Sequence, residues 1–149
     1  MSQTIKKFAP LPPLGAHATL SRRITEHDIA LFAEVSGDRN PIHLDADYAE
    51  RSLFGKRIAH GFLIGSLISA LLGNVLPGPG SIYLGQTLKF LAPIHIGDEV
   101  TVLVKVVALR EEKRIVTLHT ECTNQHGTLV LSGEATIKYA LELEETLEE

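Results

Sequence analysis

The sequence has little cysteine and no run of basic residues, and both shortages exclude whole classes of protein. Cys122 is the single cysteine among 149 residues, so neither an intramolecular disulfide nor a cysteine-based metal site can form. One free cysteine also fits a reducing compartment. The net charge is −4, and basic residues occur at most in pairs, as at Lys6-Lys7 and Arg22-Arg23. A nucleic-acid-binding protein needs a basic face, so we expect no nucleic-acid partner.

Long hydrophobic segments are missing as well. The longest apolar region, from Phe62 to Leu72, is interrupted by Gly65, Ser66 and Ser69 and is too short to cross a bilayer. Residues 1–15 contain two lysines but lack the apolar stretch of a signal peptide. We therefore expect a cytoplasmic protein that does not contact a membrane.

The composition that is present is ordinary for a globular protein, with 44% hydrophobic and 21% charged residues. The length suits one domain, which we place at residues 15–140. Prolines at positions 10, 12 and 13 predict an extended lead-in over residues 1–14. The acidic end, "LELEETLEE", predicts a frayed helix or a disordered tail over residues 141–149.

Two helices are indicated by caps and by apolar spacing. Thr25 suits an N-cap with Asp28 three residues later, and Gly37 is suited to end the helix that follows. The second helix, from about Gly61 to Leu72, is apolar nearly all round. It should therefore be buried on most sides.

Beyond a Pro/Gly loop at 77–80, the hydrophobic pattern changes to that of strands. Residues 81–91, 98–109, 113–123 and 128–138 are rich in β-branched residues that partly alternate with polar ones. Short hairpin turns join these segments, which implies an antiparallel meander. Such a sheet has one natural place for the long apolar helix. We predict an α+β domain in which the sheet wraps around that helix.

The stretch "SGDRNPIH" at residues 36–43 carries the clearest chemical pattern. Pro41 has a fixed φ and keeps Asn40 out of the helical region, so the chain bends and the side chains of Asp38 and His43 can converge. A carboxylate and an imidazole can hold one water molecule from two sides, with one group accepting its proton. The alternative is plain turn chemistry, because Asp and Asn form turns without catalysing anything.

The segments "FAEVSGDRNPIHLD" at 32–45, "IAHGFL" at 58–63 and "PGPGSIYLGQTLKFLAPIHIGDEV" at 77–100 together resemble the MaoC-like hot-dog family. The resemblance runs from about Thr25 to Ile137. The branch it resembles is that of the (R)-specific enoyl-CoA hydratases, with the related hydroxyacyl-thioester dehydratases beside it. It implies an antiparallel sheet around a long central helix, and a short-helix overhang that carries the active-site loop. It also implies a homodimer whose sheets join edge to edge, with the active site near the interface.

The resemblance further implies roles for individual residues. Asp38 and His43 match the family's catalytic pair, and Gly61 matches the glycine whose backbone N–H polarises the thioester carbonyl. No metal and no cofactor are implied. The candidate substrate-binding residues are Asn40, Ser36, His60, Ser69 and Leu72. The last two lie near the far end of the long helix, where their bulk would limit the acyl chain. Ser36 also suits a structural bond within the loop, and His60 a bond to the backbone.

Hydration of a trans-2-enoyl thioester, the reaction of that branch, needs these residue types. Water must lose a proton as it attacks C3, C2 must gain one, and the carbonyl oxygen must carry negative charge. We favour His43 as the base and Asp38 as the group that shuttles the C2 proton. Gly61 begins a helix, where N–H groups are unpaired and partly positive, and it has no side chain to block a close approach.

Three other functions stay open. Acyl carrier protein could replace CoA as the carrier of the thioester. The chain lacks an evident basic patch for that acidic partner, so we expect acyl-CoA. A hot-dog thioesterase needs a carboxylate poised against the carbonyl carbon, which the pair Asp38 and His43 fits less well. An acyl-CoA-binding module without turnover has no need of an acid/base pair.

Overall fold

The computed structural model describes residues 2–148, which form eight strands and four α-helices. The helices are α1 (Glu26–Ser36), α2 (Pro41–Leu44), α3 (Ala46–Glu50) and α4 (Gly61–Asn74). The strands are β1 (Gln3–Phe8), β2 (His17–Arg23), β3 (Ser81–Gln86), β4 (Lys89–Phe90), β5 (Glu99–Arg110), β6 (Ile115–Thr123), β7 (Leu129–Tyr139) and β8 (Glu142–Leu147).

Six of these strands form one antiparallel sheet. Its order is β2-β5-β6-β7-β3, and β4 also pairs with β7. Strands β5, β6 and β7 lie within two residues of the strands predicted at 98–109, 113–123 and 128–138. Side chains of a strand alternate between its two faces. Val100, Val102 and Val104 of β5 accordingly point to the buried side.

The single strand predicted at 81–91 is two strands in the structure, β3 and β4. Both pair with β7, and the chain between them passes very close to that strand. A Cβ on Gly133 of β7 would lie 1.7 Å from the carbonyl oxygen of Thr87. Only glycine accommodates a backbone at that distance, so the break in the strand depends on Gly133.

Helix α4 packs into the concave side of the sheet, against β2, β5 and β6. Ile64 and Ile68 lie in the hydrophobic core that it shares with the sheet. One face of α4 is open, because Phe62 is 67% exposed and Ser69 is also exposed. The helix is therefore less enclosed than its composition predicts. Among residues 2–148, no helix combines the length and the apolar character that a bilayer crossing requires. The predicted α+β hot-dog fold, a sheet around a central helix, is confirmed.

The predicted limits of α1 are also confirmed. The Thr25 hydroxyl accepts from the Asp28 N–H at 3.1 Å, and the Asp28 carboxylate accepts from the Thr25 N–H at 3.0 Å. This reciprocal pair satisfies two N–H groups at the start of the helix. Gly37 adopts a left-handed conformation with φ of 78° and donates its N–H to Ala33, which ends α1.

The two ends of the chain form a separate two-stranded ribbon. Strand β1 pairs antiparallel with β8, from Gln3 opposite Leu147 to Phe8 opposite Glu142, and Lys7 Nζ lies 2.6 Å from a carboxylate oxygen of Glu145. The prediction of a frayed helix or a disordered tail is therefore wrong for residues 142–147. The acidic tail pairs with the basic strand β1, which comes from the other end of the sequence. Residue 149 lies outside the described residues.

Candidate active site

The segment after α1 is held in a bent shape by its own short polar side chains. Ser36 Oγ accepts from the Asp38 N–H at 3.0 Å, and Asp38 Oδ1 accepts from the Asn40 N–H at 3.2 Å. Asn40 in turn caps α2, because its Oδ1 accepts from the Ile42 N–H at 3.3 Å. Pro41 occupies the first turn of α2, where its missing N–H costs nothing. The side chains of three predicted site residues, Ser36, Asp38 and Asn40, therefore also stabilise the turn.

His43 lies on α2 and is buried. Its Nδ1 is 2.7 Å from the Ile58 carbonyl oxygen. A carbonyl oxygen only accepts, so Nδ1 carries the hydrogen and Nε2 keeps its lone pair. Burial lowers the pKa of His43 below its ordinary value of 6.5, because an imidazolium ion loses solvation there. His43 is therefore a neutral base at neutral pH.

Residues 57–60 run beside this loop and hold it in place. Arg57 Nε donates to the His43 carbonyl oxygen at 2.6 Å. His60 Nε2 lies 3.0 Å from the Asp38 carbonyl oxygen, and the His60 ring stacks on that of His43 with centroids 3.9 Å apart. A carboxylate oxygen of Asp38 and one ring nitrogen each of His43 and His60 lie within 4.8 Å of one another. The sequence separates these three residues, and the fold brings them together.

Gly61 opens α4 directly after His60. The first N–H groups of a helix lack acceptors within the helix and carry partial positive charge. The Phe90 ring packs against this position, since a Cβ on Gly61 would lie 2.6 Å from Phe90 Cε1. Gly61 has no side chain of its own, and the Phe90 ring fills the space that a Cβ would take.

A cavity of about 400 Å³ opens beside His43 and Gly61. The rest of its wall is apolar or aromatic: Phe54, Ile58, Ala59, Phe62, Ile64, Phe90, Leu91, Ala92, Pro93, Ile94, Val130 and Leu131. An imidazole and a helix N-terminus therefore stand at one side of an apolar space. Such a pocket suits a ligand with an apolar chain and a polar reacting group.

Comparison with known proteins identifies the family. The family model described as "MaoC like domain" matches residues 12–128. This chain belongs to the MaoC-like family. It is 52% identical over 123 residues to the (R)-specific enoyl-CoA hydratase of Rhodospirillum rubrum, covering 83% of this chain and 85% of that protein. It is 50% identical over 125 residues to the (R)-specific enoyl-CoA hydratase of Aeromonas caviae, covering 84% and 93%. The solved structure of R-hydratase PhaJ1 from Pseudomonas aeruginosa matches with a TM-score of 0.85 and 45% identity, covering 99% of this chain and 96% of that one.

Not every predicted site residue of this MaoC-like chain reaches the cavity. Ser69 lies on the open face of α4 and Leu72 lies in the core, and neither lines the cavity. At 1.5 Å per residue they are about 12 Å and about 16 Å along α4 from Gly61. Ser36, Asn40 and the predicted catalytic residue Asp38 are exposed in the loop and do not line it either. Their roles in substrate binding and catalysis remain predictions.

Arg57 and Phe90 are the residues that sequence reasoning missed. Arg57 joins α1 to α2, because its Nη1 lies 2.7 Å from Glu26 Oε1 while its Nε binds the His43 carbonyl. Phe90 lies within a motif of the MaoC-like resemblance and Arg57 directly precedes another. Neither carries chemistry that hydration needs, and a bond to a backbone carbonyl leaves no pattern in the sequence.

The cluster of Asp38, His43 and His60 also offers two imidazoles and one carboxylate, which are donor types that Zn²⁺ binds. Nδ1 of His43 and Nε2 of His60 each lie within hydrogen-bonding distance of a backbone carbonyl oxygen. A metal would have to use the other nitrogen of each ring. In the predicted acid/base hydration, the other nitrogen of His43, Nε2, binds water instead. A site without metal therefore remains our prediction.

Proposed function

We propose that this chain catalyses the reversible hydration of trans-2-enoyl-CoA to (R)-3-hydroxyacyl-CoA. The observation that carries the proposal is the free Nε2 of neutral His43, a residue that lines one side of an apolar cavity. An Asp38 carboxylate oxygen lies within 4.8 Å of a His43 ring nitrogen. A base, a proton carrier and a space for an acyl chain then meet in one place. The relatives named as (R)-specific enoyl-CoA hydratases support the same reaction.

In the hydration direction, one water molecule binds between Asp38 and His43. His43 Nε2 accepts a proton from this water while the water oxygen attacks C3. The electron pair of the C2–C3 double bond moves towards the thioester carbonyl, so an enolate forms. The proton that His43 accepted then passes through the Asp38 carboxylate to C2, which restores both side chains. Proton transfer of this kind contributes roughly 10²–10⁴-fold to the rate.

The Gly61 N–H stabilises the enolate oxygen in this mechanism. It lies at the N-terminus of α4, where the helix dipole adds partial positive charge. A backbone oxyanion donor of this type is worth about 2.7–4 kcal/mol of barrier. Binding the carbonyl at Gly61 also presents one face of C3 to the water held by His43, so one enantiomer forms.

We also propose that the working form is a homodimer joined through β3. This strand lies at one end of the sheet, and its residues Ile82, Tyr83 and Leu84 are exposed. An edge strand with free backbone groups and exposed apolar side chains is suited to pair with another strand. Light scattering on the purified chain should give the mass of a dimer, and Leu84→Lys should raise the share of monomer. A wild-type monomer at assay concentration contradicts this proposal.

Crotonyl-CoA provides the test of the reaction. Purified protein should remove the absorbance of the conjugated thioester, and a chiral column should identify the (R)-3-hydroxy product. Asp38→Asn and His43→Ala should each lower kcat by at least about 10²-fold while circular dichroism shows a folded chain. Asp45→Asn is the matched control. Asp45 is another loop carboxylate, which caps α3 by accepting from the Asp47 N–H at 3.0 Å, and asparagine caps equally well.

Three results would contradict the proposal, and each indicates one of the other functions. Release of free thiol without hydration indicates a thioesterase. Tight binding of acyl-CoA without any turnover indicates a binding module. Turnover of the enoyl thioester of acyl carrier protein, but not of crotonyl-CoA or longer enoyl-CoA, transfers the activity to the other carrier.

A further inference from the structure

We propose that His60 is a positioning residue, which holds the Asp38 loop, the His43 ring and the start of α4 in one arrangement without touching the substrate. This inference rests on the proposed function, because Asp38, His43 and Gly61 are the groups that His60 would align. It differs from the expectation that His60 binds substrate. His60 is only 2% exposed and does not line the cavity.

The His60 side chain connects two parts of the loop that are otherwise held separately. Its Nε2 donates to the Asp38 carbonyl oxygen at 3.0 Å, which fixes the backbone from which the carboxylate projects. Its ring lies against the His43 ring with an interplanar angle of 28°, so His43 cannot tilt to that side. The His60 ring also contacts the ring of Phe32 in α1, with centroids 4.8 Å apart. The imidazole is thus held in a layer between α1 and α2.

The His60 backbone extends the same arrangement to α4. Its carbonyl oxygen accepts from the Leu63 and Ile64 N–H groups at 3.1 and 3.3 Å, so His60 is the residue from which the helix begins. Gly61, the proposed oxyanion donor, is the next residue. A shift of the His60 ring would therefore move the base, the proton carrier and the oxyanion donor relative to one another.

The tautomer of the His60 ring follows from its contacts. Because a carbonyl oxygen only accepts, Nε2 carries the hydrogen. Nδ1 is buried and has no hydrogen-bond partner among the described residues. The titratable residues beside the ring are His43 and Asp38. Burial is the largest cause that lowers the pKa of His43, and the electrostatic effect of the neighbouring His60 lowers it further.

Three variants separate the contacts of His60. His60→Gln keeps a side-chain N–H near the Asp38 carbonyl, His60→Phe keeps the stacked ring, and His60→Ala keeps neither. His95→Asn is the matched control. His95 is an imidazole in the same region that donates from Nδ1 to the Arg57 carbonyl oxygen at 3.1 Å, and asparagine can retain that bond.

We expect His60→Ala to lower kcat on crotonyl-CoA by about 10²-fold, the effect of a small misplacement of catalytic groups, with KM changed less than about threefold on the same reasoning. His60→Gln should recover much of kcat, because the loop stays anchored. In His60→Phe the acid limb of the kcat/KM profile should move to higher pH, since the neighbour that opposes the His43 proton is gone. His95→Asn should match the wild type in all three readouts.

Two kinetic results would overturn the proposal. A raised KM with unchanged kcat would mean that His60 contacts the substrate. The other result is an equal loss of kcat in all three variants, in proportion to their loss of thermal stability, with an unchanged pH profile. It would mean that His60 only fills the core.

A readout without turnover separates this proposal from the proposed function. Amide hydrogen exchange in residues 36–43 and the NMR titration of the His43 ring are measured on the same variants. Faster exchange confined to that loop in His60→Ala, with recovery in His60→Gln, supports positioning even if the wild-type chain does not hydrate crotonyl-CoA. Unchanged exchange and an unchanged His43 titration overturn it, whatever the activity.

Discussion

Replacing Gly61 by alanine tests whether the backbone at the start of α4 must stay open. The new Cβ would lie 2.6 Å from Phe90 Cε1 and 2.9 Å from Cδ1, closer than carbon atoms pack. The Phe90 ring is 52% exposed, so it can swing aside and the chain still folds. The displaced ring and the new methyl group then occupy the space in front of the Gly61 N–H.

The effects on stability and on catalysis should therefore differ in size. Alanine is favoured over glycine by up to about 1 kcal/mol in a helix interior, and this value is an upper limit for the first residue of α4. Because the exposed Phe90 ring can move into solvent, the free energy of unfolding should change little. If the thioester carbonyl no longer reaches the N–H, the barrier should rise by about 2.7–4 kcal/mol, or about 10²–10³-fold in kcat.

Initial rates on crotonyl-CoA and urea unfolding measure both effects. Gly65→Ala is the control one turn further along α4, because its Cβ would meet only Leu88, with the nearest carbon at 3.4 Å. It should keep full activity. A Gly61→Ala variant with wild-type kcat and KM refutes the need for close approach at Gly61. If Phe90→Ala restores the activity of Gly61→Ala, the displaced ring was the obstacle and the methyl group was not.

Three further predictions concern His43, Arg57 and Cys122. The lowered pKa of His43 means that the folded chain binds this proton less readily than the unfolded chain. The free energy of unfolding should then fall as the pH decreases below 6.5. Urea unfolding of His43→Gln should show a smaller fall with pH, and an equal fall contradicts this. Arg57→Gln leaves the buried His43 carbonyl without its charged donor and should cost about 1.5–3 kcal/mol in urea unfolding. Glu26→Gln, which changes only the exposed partner of Arg57, should cost less than about 1 kcal/mol; equal costs would assign the effect to the ion pair. Burial raises the pKa of Cys122 to about 12, so a thiol reagent should modify it only after unfolding, and rapid modification of the native chain refutes the burial.

The elements that sequence reasoning predicted are those whose stabilising contacts are local. Thr25 and Asp28 cap α1 across three residues, and Gly37 ends that helix with a conformation that glycine favours. The polar side chains of the loop at 36–43 bond to backbone groups two residues away. Strands β5 to β7 have alternating burial, which a strand shows in its own sequence.

The features that sequence reasoning missed depend on partners far away in the chain. Lys7 and Glu145 form an ion pair across the β1–β8 ribbon and are 138 positions apart in the sequence, so neither strand is recognisable alone. The open face of α4 was missed because composition reports how apolar a helix is and not how much of the sheet covers it. Arg57 was missed because its acceptors, a backbone carbonyl and a carboxylate, are defined only by the fold.

The same division runs through the candidate site. The amino-acid sequence by itself determined which groups are available: a carboxylate and an imidazole on a bent loop, and a glycine at a helix start. Only the tertiary structure decided their state and surroundings. His43 is neutral with a free Nε2 because Ile58, 15 residues away, accepts from Nδ1 and because the fold buries the ring. Tautomer and desolvation are properties of the surroundings of a side chain, and those surroundings exist only once distant segments have packed together.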